Sequence, residues 1–103
     1  MSFQKNLTPQ NAEISNNTLI ALLDAFIPKF ESLLKTATNM DYPSDFKNVH
    51  DALVNSLKFE TEGYKHYRNY VISGNRTENS IYTDLLSKAY ENEQIYAKFL
   101  ATQ

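Results

Sequence analysis

The chain of 103 residues contains no cysteine, only two glycines and only three prolines. Lack of cysteine excludes disulfides, thiolate metal sites and cysteine nucleophiles, and leaves the redox compartment open. So few turn-forming residues disfavour a sandwich or barrel, which needs many tight turns, and favour long helices joined by few connections. The fold class expected is all-α. No strong charge of one sign is present either: the formal charge is -2 and the isoelectric point about 5.6, so nothing draws the chain generally to nucleic acid or to an anionic membrane. The longest strongly apolar run, "TLIALLDAFI", contains Asp24 and falls well short of the roughly 20 residues of a membrane span. No basic start followed by an apolar stretch opens the sequence, and the expectation is a soluble, cytoplasmic protein. A glycine-rich phosphate loop, a serine nucleophile elbow and a histidine-carboxylate-serine set are all missing, so an enzymatic role is not expected.

What is present is enough apolar residue for one folded domain, 42% hydrophobic against 21% charged. Residues 1–15 are polar and aperiodic and read as a tail, leaving 16–103 as a single helical domain. Leu19, Leu22, Leu23, Phe26, Ile27, Phe30, Leu33 and Leu34 form a helical stripe about two residues wide, which predicts a helix over about 17–38 that carries Pro28 as a kink rather than a break. "NMDYPSD" then punctuates the chain. A second helix over about 44–73 follows, its stripe running Phe46, Val49, His50, Leu53, Leu57, Glu60, Tyr64, Tyr67 and Val71 until Gly74 stops it. Asn75 with Glu78 has the form of a capping box for a third helix over about 77–101, whose inner line is Tyr82, Leu85, Leu86, Ala89, Glu93, Tyr96, Phe99 and Leu100.

Two acids therefore stand on apolar stripes. The second and third helices share a short turn and should lie antiparallel, and Glu60 and Glu93 are equidistant from its centre. The pattern predicts two carboxyl groups at one level of the interior, ringed by Tyr64, Tyr67, Tyr90 and Tyr96. Such a pair must share a proton, accept hydrogen bonds or bind a cation. Tyrosine hydroxyls are one available source of those hydrogen bonds, and the edge of the stripe, where the heads reach water, is another resolution.

"FETEGYKHY" resembles the ferritin-like helix of rubrerythrin and its relatives in which a glutamate precedes a tyrosine by seven residues, as Glu60 precedes Tyr67. "AYENEQIYAKFL" is similar to the partner helix of that family, and the 33 residues between Glu60 and Glu93 are close to the family's separation within one hairpin. The resemblance covers 57–100 and implies Glu60 as a terminal and Glu93 as a bridging carboxylate ligand for iron or manganese. Tyr96 stands where the family has its ligand histidine. The family's centre also needs two such hairpins, and here the second could come only from another chain, so a site at a dimer interface is what the resemblance implies.

Other constellations are weaker. His50 falls level with Glu31 to Leu34 of the first helix. His66 has Glu62 one turn before it and Asp84 at its level on the third helix, a pattern of a solvated ion pair or a small metal site. "YKHYRNYVISGNR" interleaves Lys65, Arg68 and Arg76 with tyrosines, but Tyr64 and Tyr67 belong to the core stripe and no nucleic-acid face is left. Phe59, Tyr70 and Ile95 lie off the main stripes and suggest apolar contact with another surface. The expectation is an antiparallel three-helix unit that completes a four-helix or larger bundle as a homodimer, acting as a non-enzymatic interaction module for a protein partner, or else as a carboxylate-metal protein.

Overall fold

The computed structural model describes the backbone of residues 9–102 and the side chains of residues 16–102. The described residues form three helices and no strand: α1 (Pro9–Thr38), α2 (Lys47–Ser73), entered through a 3-10 turn at Ser44–Phe46, and α3 (Arg76–Ala101). The chain is all-α.

Helix α1 starts earlier than the sequence pattern suggests, at Pro9 rather than near residue 17, so that 9–15 are helical and only 1–8 of the expected tail lie outside the described residues. Proline suits a first helical position, where its missing N–H would have had no partner and its fixed φ is already helical. Farther on, α1 runs unbroken through Pro28. Pro43, extended at φ -63° and ψ 147°, leads into the 3-10 turn, and regular α-helix begins three residues after Ser44, the expected start.

The turn between α2 and α3 is built by two residues. Gly74 stops α2 in the left-handed region at φ 72°, and its N–H donates to the carbonyl of Tyr70 at 2.7 Å. Asn75 caps α3 by accepting from the N–H of Thr77 at 2.9 Å. The reciprocal half of the expected capping box is not made. The N–H of Asn75 donates to the Ser73 hydroxyl at 3.1 Å, while the Glu78 carboxylate turns back to α2 and accepts from His66 and from Asn69.

Helix α2 is central, with α1 antiparallel on one side and α3 antiparallel on the other, and among the described residues no Cα of α1 lies within 8 Å of a Cα of α3. The unit is therefore an open layer. Its radius of gyration is 16.6 Å, against about 13 Å for a compact chain of about 100 residues. The α2–α3 seam is tight because its buried residues are small: Ala52, Ser56 and Gly63 on α2 against Ala89 on α3. Leu23, Ile27 and Ala37 are the buried residues that α1 contributes. At the margin of α1 and α2, Arg68 pairs with Asp24 at 2.6 Å and Lys65 with Glu31 at 3.1 Å. Exposed pairs of this kind contribute about 0–1 kcal/mol each and act chiefly to fix register. An aromatic series crosses all three helices, with Phe30 stacked on Tyr64 at 5.3 Å, Tyr64 near Tyr82 at 6.1 Å, and Tyr82 against Tyr67 at 4.5 Å.

Candidate functional site

Residues of α2 that meet α1 include His50, Lys65 and Arg68, residues that meet α3 include Phe59, Gly63, His66 and Tyr67, and Tyr64 meets both. At 100° per residue these two lines lie on well-separated sides of α2, and the apolar stripe Leu53, Leu57, Glu60, Tyr64, Tyr67 and Val71 falls between them. Because α1 and α3 do not close over that stripe, it becomes the floor of a cleft whose walls are α1 and α3. The stripe was expected to lie in the interior of a bundle. It is only half-buried.

Glu60 and Glu93 meet in this cleft as the hairpin count predicts. They line a recess of about 190 Å³ with Tyr64, Leu86, Ala89 and Tyr90. Burial first, then the neighbouring charge of Glu93 and hydrogen bonding with it, raise the pKa of Glu60 above the ordinary carboxylate range. Glu60 therefore holds its proton more readily than an isolated glutamate would. The surrounding tyrosines do not donate to them: Tyr64 feels both acids through their charge, and burial first, then Glu60 and Glu93, raise its own pKa. Tyr67 lies one turn away against Tyr82, and Tyr96 is not part of the recess lining.

Beside the recess, and sharing Tyr64 with it, runs an apolar groove of about 280 Å³ between α1 and α2, walled by Leu19, Leu22, Phe26 and Phe30 and floored by Tyr64 and Tyr67. Leu22 and Phe26 are 45% and 46% exposed, and Leu33 on the same side of α1 is 54% exposed. The sequence places all three on the stripe of the first helix, and the width of that stripe, broader than one neighbouring helix can cover, is the signal that part of it stays uncovered. Of the off-stripe residues expected at a surface, Ile95 is exposed, while Phe59 lies beneath Lys88 at 5.9 Å and Tyr70 lies against Tyr67 at 6.3 Å.

Both histidines find partners other than the acids the sequence placed near them. His50 does not reach Glu31, which pairs with Lys65; its Nε2 donates to the Ala37 carbonyl at 2.6 Å, and Tyr42 stacks on its ring at 4.0 Å. His66 pairs with Glu78 instead of Glu62 or Asp84, and so ties α2 to the first turn of α3. Lys65 and Arg68, two of the three cations in the tyrosine-rich segment, are engaged with carboxylates.

The fold and this geometry define an all-α unit with an acid-lined apolar cleft. Comparison with protein-family models, with curated proteins and with solved structures finds no match for the chain. The resemblance of 57–100 to a ferritin-like hairpin rests on its motif alone. Among the described residues no group of three or more histidines and acids is placed to hold a metal ion. Glu60 and Glu93 are two donors, and within one chain that set is too small for a carboxylate-bridged metal centre. The longest helices are not apolar enough to cross a membrane among the described residues.

Proposed function

We propose that this chain is a helical interaction module that self-associates through its cleft and carries out no chemistry of its own. The observation that carries the reading is the uncovered apolar side of α1, where Leu22, Phe26 and Leu33 stand about half exposed beside a groove floored by tyrosines. Apolar area of that extent is normally covered by another surface. A dimer of ordinary size takes about 800 Å² from each partner. A homodimer that closes two clefts on each other supplies the helices that α2 lacks above its stripe and completes a larger bundle.

Sedimentation equilibrium over a range of micromolar concentrations tests the reading. A reversible monomer–dimer equilibrium is expected, and a strictly monomeric protein would overturn it. The convergence of Glu60 and Glu93 favours a second reading, in which the pairs of two copies together hold iron or manganese. Metal retained by the wild type after dialysis and lost from the Glu93→Ala variant would select that reading.

A further inference from the structure

Resting on the self-association proposed above, we infer that the second copy lays its α1 in the cleft and sets the ammonium of its Lys29 against Glu60 and Glu93. Three observations converge on Lys29. It stands seven residues after Leu22 and four before Leu33, on the exposed line of α1 itself, so any surface that covers those leucines also covers it. It is exposed and makes no ion pair among the described residues, and Lys35, the other lysine of α1, is off this line by helical spacing. And the cleft holds a carboxyl pair with no cation in its lining.

The groups facing that pair can be named from each element. Helix α2 contributes Tyr64, α3 contributes Tyr90, Leu86 and Ala89, and α1 of the same chain contributes none of the lining. No lysine of α2 or α3 lines the recess, and Lys65 of α2 is paired with Glu31. Covering the recess with an apolar surface alone would strand the acids away from water, which is strongly unfavourable. A lysine resolves this: its methylenes lie along Leu86 and the tyrosine rings while its ammonium meets the carboxyl groups. The two carboxyl groups share one recess, so a single ammonium placed there meets both. In a two-fold dimer the same contact is made twice.

Charge reversal tests this with the full chain. Lys29→Glu and Glu93→Lys, each examined alone by sedimentation equilibrium, are expected to weaken self-association about tenfold or more, because each sets like charges together at both symmetric contacts. Mixed in equal amounts they should associate about as tightly as the wild type, since each contact of the mixed dimer regains one lysine opposite one glutamate. Wild-type protein that dimerises while Lys29→Glu dimerises equally well overturns the Lys29 contact and leaves self-association standing. Wild-type protein that stays monomeric overturns both. Should Glu93→Lys fail to fold, as circular dichroism would show, the exposed Lys29→Glu change still decides between these outcomes.

Discussion

The Nε2 of His50 lies 2.6 Å from the carbonyl oxygen of Ala37 and donates to it across the α1–α2 interface. Ala37 is in the last turn of α1, where carbonyls have no partner within the helix, and its other donor, the N–H of Met40, is more distant at 3.3 Å. His50 thus fastens the end of α1 to α2. Replacing it by leucine keeps most of the apolar contact with Tyr42 and removes the hydrogen bond, with an expected loss of about 1 kcal/mol. The check is a lower urea midpoint with an unchanged denaturant slope. An unchanged midpoint would mean that the hydrogen bond contributes nothing beyond what water supplies.

Gly63 is buried where α2 packs on α3. A Cβ placed there would stand 3.2 Å from Leu86 Cδ2 and 3.5 Å from Leu85 Cβ. The nearer atom is the tip of a side chain that borders the open recess and has room to turn away. Against that small adjustment stands the gain of about 1 kcal/mol for alanine over glycine inside a helix. Gly63→Ala should therefore be neutral or stabilising by up to about 0.5 kcal/mol. Gly63→Leu should destabilise by about 2 kcal/mol or more, because the added atoms must separate the two backbones. Thermal unfolding of both variants checks the pair of predictions together.

Glu60 makes the pH dependence of stability unusual. Its pKa is raised in the folded chain, so the folded state binds the proton more tightly than the unfolded state does. The stability attached to this group is then greatest below the ordinary carboxylate pKa and is lost as pH rises from there through the raised folded value. Asp51 behaves oppositely, since its hydrogen bond to Lys47 lowers its pKa and the associated stability is lost only as pH falls through that lowered value. Between neutrality and the carboxylate range the Glu60 effect prevails, and mild acidification should stabilise the dilute monomer. Glu60→Gln should raise stability at neutral pH by on the order of 0.5 kcal/mol, a small figure because the pair is partly solvated. It should also flatten the profile across that window. Thermal midpoints of the two proteins at neutral and mildly acidic pH test both.

Much of this arrangement is written in the sequence, and the remainder is lost for definite reasons. Helical periodicity gives the three elements, and counting outward from the short turn at 74–77 brings Glu60 and Glu93 to about one level because such a turn forces antiparallel register. The pairings of His50, His66 and Glu78 are not legible that way. Each depends on which way a side chain turns at the edge of a stripe, and Glu78 had two competing partners, the Asn75 N–H at its own cap and the His66 imidazole on α2. Nor does the sequence say that α1 and α3 stay apart. Loop lengths establish which helices are neighbours but leave free the angle between two neighbours around the helix they share, and that angle decides whether Tyr64 and Leu22 face a closed core or a cleft.

Phe26 and Ile27 are adjacent in sequence and differ in burial, 46% exposed against 9%. In the monomer Ile27 belongs to the core and Phe26 largely faces the cleft, so the two positions should separate folding from assembly. Ile27→Ala removes buried methyl groups from the α1–α2 interface and should destabilise the chain by about 2–4 kcal/mol. Phe26→Ser keeps the packed side of α1 and should change monomer stability by about 1 kcal/mol or less, since about half of the ring is already in water. Its effect on self-association should be far larger, a loss of about 2 kcal/mol or more, because an aromatic ring at the centre of an apolar face is the kind of residue that dominates such contacts. Chemical denaturation at low concentration measures the first quantity and sedimentation equilibrium the second. If Phe26→Ser lowers stability as much as Ile27→Ala and leaves association unchanged, the face of α1 that carries Phe26 is part of the folded core, and the dimer must form elsewhere.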